Sequence, residues 1–293
     1  MQQYSLLDLK TFIAVVEVSS FNQAAKQLGV STATVSRRIS SLEDALAIHL
    51  INRTTRQLSL TEAGERYYGD VQNIVSALND SEAKLRDKKL TIKGHLRIAA
   101  PMSFGILRIA PILPKFLKHY PEIDIHLQLE DQQTNLHTDN IDIAIRIGDL
   151  EDSSLIGVHL GDIEKILCAS PDYLERYGEP ARPSDLKQHN CLKYSLGISS
   201  DKWGLRSAAQ LQGQLSSNNG DALREAAISG LGIITIPTFI VEDALKNGKL
   251  KRILHNDELA TIPIHIIRLS RQFTPAKVEA IVDFLKKELG AFK

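Results

Sequence analysis

The side chains best suited to chemistry in this chain are a cluster of hydroxyls and guanidinium groups. Ser31, Thr32, Ala33, Thr34, Ser36, Arg37 and Arg38 fall within about two helical turns of one another. Serine and threonine hydroxyls pair with donors or acceptors on base edges, and an arginine fork suits the paired acceptors of guanine. Arg53-Thr54-Thr55-Arg56 adds a second cationic cluster, suited to phosphate oxygens and a minor groove. Catalytic patterns are missing: the chain has no G-x-S-x-G, no H-E-x-x-H and no G-x-x-x-x-G-K-[ST], and its nine histidines lack ligand spacing. His189-Asn190-Cys191 comes nearest to a nucleophile site, yet adjacent residues seldom face each other. Gly230-x-Gly232 lacks the third glycine of a nucleotide loop and closes a helix rather than opening one. Neither catalysis, a metal nor a cofactor is expected.

The elements that must hold the hydroxyl and arginine cluster are legible around it. Ser20 and Gln23 predict a capping box at a helix start. Asn22 and Gln23 stand in that helix's first turn, beside the cluster, and Ala24, Ala25 and Leu28 supply its buried face. Gly29-Val30-Ser31 predicts a turn: the glycine takes the positive φ that ends one helix, and the serine caps the next. Val35, Ile39, Leu42 and Leu46 recur at helical spacing and turn inward, which points Ala33, Thr34, Arg37, Ser40 and Ser41 outward, with Thr32, Ser36 and Arg38 on the flanks. Glu43 and Asp44 keep negative charge at the far end. The stretch HLINRTTRQLSLT (49–61) then predicts a hairpin with its arginines near the tip. Upstream, Leu6, Leu9, Phe12, Ile13 and Val16 predict a supporting amphipathic helix.

The order S-F-x-x-A-A-x-x-L-x-V-S-x-x-x-V-S-x-x-I-x-x-L-E, a wing with R-x-x-R, and L-T-x-A-G resembles the winged helix-turn-helix of the LysR-type transcriptional regulators. Phe21, Ala24, Ala25, Leu28, Val30, Ser31, Val35, Ser36, Ile39, Leu42, Glu43, Leu50, Arg53, Arg56, Leu60, Thr61, Ala63 and Gly64 carry the match. Two departures concern packing and helix termination: Ala47 stands where the family usually has Gly, and Ile51 where it usually has Phe. The resemblance implies a sequence-specific DNA-binding regulator. Its DNA-contacting set is Asn22, Gln23, Ser31, Thr32, Ala33, Thr34, Ser36, Arg37, Arg38, Arg53 and Arg56.

Composition fits that expectation with one constraint. The 293 residues suggest about two domains, and 43% hydrophobic with 24% charged residues is ordinary for a soluble globular chain. Formal net charge is zero, so cations must be concentrated locally. Residues 31–60 hold four arginines against two acids. That modest excess makes affinity lean on dimerisation and base contacts as well as on counterion release. The start MQQYSLLDLKTF has no basic segment leading into an apolar core, and no membrane-length apolar run occurs, so a cytoplasmic location is expected. Cys168 and Cys191 lack C-x-x-C spacing; they read as small buried hydrophobes, with a redox sensor as the alternative.

From Thr61 a single long helix is predicted. Tyr67, Val71, Ile74, Leu78, Ser81 and Leu85 step by fours and threes, a heptad seam that needs a partner. Packing on its own domain is the alternative. In the LysR family this resembles the linker helix that makes the dimer, implying a roughly palindromic DNA site and a homodimer or homotetramer. Contact with RNA polymerase is implied for an activator.

The charged stretch from Asp87 to Gly94 marks a boundary, giving a DNA-binding domain over 1–61, a linker helix over 62–90 and a third region over 91–293. Beyond it, strands alternate with helices, with HLRIAAP, a helix from near Ser103 to His119, DIHLQLE and IDIAIRIG leading, and KILCAS opening a second series. The expected class is α/β: two subdomains, about 94–162 with 264–293 and about 163–263, joined by crossing strands. This resembles the periplasmic-binding-protein-like effector domain of the family. Ligands in such folds bind beyond the carboxyl ends of strands. Ser103, Phe104, Arg146, Gly148, Asn219 and Thr238 are the resulting candidates for a small-molecule effector; Ser103 also suits simple helix capping. Trp203 reads as core or rim. A purely architectural DNA binder would leave the second region without a use, and a solute-binding protein would need export.

Overall fold

A computed structural model describes residues 4–53, 58–85, 92–132, 136, 141–150, 155–196, 211–255, 259, 261–269 and 274–290. The chain divides into two compact units. The first holds Met1–Ile92, with His137–Asn140 and Arg271–Glu279 grouped with it; Lys93–Leu136, Ile141–Ser270 and Ala280–Lys293 form the second.

In the first unit α1 (Leu6–Val18) starts at a capping box between Ser5 and Asp8. α2 (Phe21–Leu28) starts at Ser20, whose hydroxyl accepts the Gln23 N–H at 3.3 Å. Only this half of the expected Ser20–Gln23 box is formed among the described residues; Gln23 is exposed. Gly29, at φ 65°, ends α2, and Ser31 caps α3 (Thr32–Leu46) by accepting from Thr34. β1 (Ile51–Arg53) and β2 (Leu58–Leu60) form the antiparallel wing with Ile51 opposite Leu60. α4 (Glu62–Leu85) follows, its first turn held by the Gly64 N–H donating to the Thr61 hydroxyl at 3.0 Å.

Phe12, Val15, Ala24, Ala25, Val35, Ile39, Leu42, Leu50 and Ile51 form this unit's core. Of the expected face of α1, Phe12 is fully buried and Leu9 and Val16 pack on the core, but Leu6 is 38% exposed and Thr11, Ala14 and Val15 are buried beside Phe12. The Phe12 ring meets Tyr67 and Tyr68 of α4 at centroid distances of 5.8 and 6.4 Å, so the buried side of α1 also covers α4.

The second unit carries two five-stranded sheets. One has the order β4-β3-β5-β12-β6, with β3 (Gly94–Ala100), β4 (Ile123–Leu129), β5 (Ile143–Ile147), β6 (Leu155–Ile163) and β12 (Ile262–Leu269). The other has the order β11-β7-β10-β8-β9, with β7 (Lys165–Ala169), β8 (Cys191–Tyr194), β9 (Ser216–Ser217), β10 (Ile233–Pro237) and β11 (Lys251–Ile253). The chain crosses between sheets at Glu164, and again between β11 and β12. Parallel pairing is confined to β3 with β4 and β5, and to β8 with β9 and β10; β12 and β7 run antiparallel to their neighbours because they return from the other sheet.

The helix expected from Ser103 to His119 is broken. α5 (Met102–Phe104) passes into a π-helical turn over Gly105–Ile109, and α6 (Leu113–His119) resumes after it. Gly105 sits where a Cβ would meet Leu129 at 2.1 Å, which locks this segment onto β4. The remaining helices are α7 (Pro171–Tyr177), α8 (Gly220–Ile228), α9 (Thr238–Lys246) and α10 (Ala276–Leu289), with a 3-10 turn over Pro183–Gln188. Among the described residues no helix is long and apolar enough to cross a membrane.

Candidate nucleic-acid interface and ligand site

On α3 the inward stripe is complete: Val35, Ile39 and Leu42 are 0% exposed. The same helix leaves Thr32, Ala33, Arg37 and Ser41 exposed and Thr34, Ser36, Arg38 and Ser40 half-buried. Asn22 accepts from the Thr32 hydroxyl at 2.9 Å, tying the starts of α2 and α3 into one exposed polar surface with Gln23 and Ser31. Arg38 is partly committed inward, where its Nη1 donates to the Thr11 hydroxyl at 3.2 Å. Arg37 is thus the more available guanidinium for a base edge. The side chain of Arg53, and Arg56 altogether, lie outside the described residues.

Glu43 departs from its expected place as a surface charge. It is 5% exposed, and its Oε1 accepts the Leu50 and Ile51 N–H groups at 2.8 and 3.1 Å. The end of α3 thereby grips the base of the wing. Its place four residues after Ile39 turns it inward, unlike Asp44, but the N–H donors it meets lie seven and eight residues on.

The expected seam of α4 is divided. Val71 is 2% exposed and Tyr67 packs on Phe12, so both have contacts within their own unit. Ile74 and Leu78 are 59% and 38% exposed and stay open to a partner. Leu85's side chain lies outside the described residues.

In the second unit, polar side chains that follow β3 and β4 meet the start of α8. Ser103 donates to Asp221 Oδ2 at 2.6 Å, across 118 residues of chain. Ser103 does not cap its helix: Pro101 is the N-cap, and the hydroxyl, 5% exposed, is spent on Asp221. Asn219 caps α8 through its side-chain oxygen and donates its amide to Asp131 Oδ2 at 3.0 Å. Arg108 Nη2 meets Glu242 Oε1 at 2.5 Å and lies over the Phe239 ring.

Four other candidates fall around this set. Phe104 is 0% exposed and packs edge-on against Phe239 at 5.4 Å. Thr238 bonds the Glu164 carbonyl through both N–H and hydroxyl, at the first crossing between sheets. Arg146 stands opposite His265, and the Gly148 N–H donates to Pro263 O at 2.9 Å, which places both on the β12 side. Sequence reasoning missed Asp131 and Asp221; Asp131 follows β4, and the rule that ligands gather beyond strand ends applies to it as much as to Ser103.

Residues 6–65 match the family described as bacterial regulatory helix-turn-helix protein, lysR family, and residues 91–290 match the LysR substrate binding domain. The chain belongs to the LysR family of transcriptional regulators. A relative from Haemophilus influenzae, described as an uncharacterized HTH-type transcriptional regulator, is 37% identical over 278 residues, covering 93% of this chain and 96% of the relative. The structure of CrgA, a LysR-type regulator from Neisseria meningitidis, superposes with a TM-score of 0.63 at 32% identity, covering 97% of this chain and 98% of that one. The full-length Vibrio cholerae virulence activator AphB gives 0.60 at 31% identity, covering 97% and 99%.

This LysR-family member is a DNA-binding regulator, not an enzyme, and its His189-Asn190-Cys191 segment is held by local hydrogen bonds. The Cys191 thiol points to the Leu186 carbonyl at 3.4 Å, while His189 Nδ1 pairs with the Tyr173 hydroxyl at 3.2 Å. That hydroxyl also accepts the Asn190 N–H at 3.0 Å. The three residues fasten β8 to its surroundings. Both cysteines are 0% exposed, and burial pushes each thiol up to about 12, which suits small hydrophobes. Gly232 earns its place between strands: a Cβ there would meet the Asn190 carbonyl oxygen at 2.2 Å. The family departure at Ala47 lies at the C-cap of α3 with φ 53°, the conformation for which glycine is the usual choice.

Proposed function

We propose that α3 reads base edges in a major groove through Thr32, Ala33, Thr34, Ser36, Arg37 and Arg38, with Asn22, Gln23 and Ser31 at its rim. Arg53 and Arg56 hold phosphates from the wing. The observation that carries this reading is the division of α3 into a fully buried apolar stripe and an exposed face of small hydroxyls and one free-standing arginine. Small side chains let the helix approach the bases closely. Two copies pair through the exposed Ile74 and Leu78 of α4, in the linker over 62–90, so the site is roughly palindromic. A cytoplasmic dimer, or a tetramer of two such dimers, binds a promoter, and contact with RNA polymerase follows where it activates. A small molecule bound between the two subdomains, near Ser103 and Asn219, shifts their closure. It regulates DNA binding only to the extent that it prefers one arrangement over the other.

Selection of genomic fragments by the purified protein across a salt series tests this, with recovery of a two-fold related site expected. Arg37→Ala and Thr32→Ala relax sequence preference by about 1–3 kcal/mol per lost base contact. Arg53→Ala and Arg56→Ala weaken binding to all sequences and flatten the salt slope. Identical behaviour of all four variants would refute the division into readers and positioners.

A further inference from the structure

β6 and β12 are the strands beside the two points where the chain crosses between sheets: β6 runs into Glu164, and β12 follows β11. They pair antiparallel, and their register slips near the crossing end. Ile264 stands opposite Gly161 and His265 opposite His159, which skips Leu160. Such a bulge re-aims the side chains around it. Here the His159 and His265 rings come side by side across the strands, with centroids 5.3 Å apart. Asp162 is brought back to the same place, its Oδ1 lying 3.3 Å from His159 Nε2. In a regular strand, residues three apart point to opposite faces.

A carboxylate only accepts, so the His159 nitrogen that faces Asp162 carries the ring hydrogen and Nδ1 keeps the lone pair. On His265, Nδ1 is buried and has no hydrogen-bond partner. A nitrogen left dry and unpaired costs free energy that a hydrogen bond or a ligated ion returns. Two imidazole nitrogens on one tetrahedral ion, with bonds of about 2.0–2.1 Å, stand about 3.3 Å apart. Rings 5.3 Å between centres can reach that separation. Arg146 stands opposite His265 on β5 and has a contact of its own. A guanidinium so placed disfavours ions held by charge alone, such as Mg²⁺ and Ca²⁺, and leaves those that imidazole lone pairs bind strongly.

We propose that His159 and His265 bind a divalent transition-metal ion, Zn²⁺, between β6 and β12, and that Asp162 orients His159 from behind. Among the described residues no group of three His, Cys, Asp or Glu side chains is placed to hold an ion, so water takes the remaining positions. The ion ties the two strands together at their crossing end. It enters from the side of His159, half of whose side chain is exposed. No ligand spacing along the sequence announces the pair, because the sheet register makes it.

The test is calorimetric titration of the chelator-treated full-length protein with Zn²⁺, and with Mg²⁺ as the control. Wild type, His159→Gln, His265→Gln and Asp162→Asn are compared. One Zn²⁺ per chain is expected, weakened by about tenfold or more in each histidine variant and by about tenfold in Asp162→Asn, with no Mg²⁺ binding. In wild type, Zn²⁺ should also protect His159 from diethyl pyrocarbonate, read by mass spectrometry of a digest, and this readout stands even if a variant fails to fold. Zn²⁺ binding unchanged in both histidine variants places the ion on other residues and overturns the site. No Zn²⁺ binding at submillimolar concentration, or modification of His159 at one rate with and without Zn²⁺, overturns it as well. Binding lost in the histidine variants but unchanged in Asp162→Asn overturns the role given to Asp162.

Discussion

Glu43→Ala should unfasten the wing from the recognition helix. Leu50 and Ile51 are 2% and 4% exposed, so their N–H groups cannot turn to water once the carboxylate is gone. Each buried donor left unpaired costs about 1–3 kcal/mol, which places the loss near 3–4 kcal/mol. That is a large share of the roughly 5–15 kcal/mol that holds a domain together. At about 4–8 °C per kcal/mol for a domain of this size, the melting transition of the first unit should fall by at least about 10 °C in scanning calorimetry of the full chain. Glu43→Gln keeps an acceptor oxygen and should recover roughly half of the loss. DNA affinity should follow the folded fraction in both variants. A transition moved by less than about 1 kcal/mol, together with tighter DNA binding, would refute the reasoning. It would mean that Glu43 acts as a surface anion repelling phosphates.

Three other perturbations have definite expectations. Ala47→Gly relieves a left-handed residue at φ 53° and should stabilise the first unit by about 0.5–1 kcal/mol in urea unfolding, the strain relief exceeding glycine's added chain entropy. Val71→Asp buries an unpaired carboxylate and should cost about 3 kcal/mol whatever the state of assembly, whereas Ile74→Asp should lower the mass in light scattering and remove the concentration dependence of the melting temperature; an unchanged mass would remove α4 as the pairing element. Each thiol stays neutral in the folded chain up to about pH 12, against 9.0 for the unfolded group, so the folded state binds more protons between those values. Stability should be full below pH 9 and fall as pH rises toward 12, and native protein at pH 8 should resist alkylation at both cysteines until denaturant is added.

The legible part of the fold is local in origin. Ser20, Gly29 and Ser31 act on backbone groups within four residues of themselves, so their presence marks the helix boundaries without any knowledge of the fold. The buried stripe of α3 and the alternation of strands and helices beyond residue 93 are periodicities of single elements, and periodicity survives in a linear reading. Other features resisted that reading because a second element makes the decision. Nothing along α1 announces that it must also cover α4, and so the burial of Thr11, Ala14 and Val15 beside Phe12 is not legible in its apolar stripe. Along α4 the stripe is also unevenly buried, with Val71 covered and Ile74 and Leu78 exposed, because the unit's own core covers part of it.

The candidate ligand site shows the limit most plainly. Ser103 and Asn219 could be chosen from strand ends and caps alone, but their pairing with Asp221 and Asp131 spans 118 and 88 residues. The amino-acid sequence by itself determined the helix-turn-helix, its caps, its exposed hydroxyl face and the α/β class of the second unit, because each follows from residue types within one or two turns. Only the tertiary structure decided which carboxylate holds the wing, which side chains of α4 are buried and which acids Ser103 and Asn219 meet, because burial and pairing depend on what the fold brings from far along the chain.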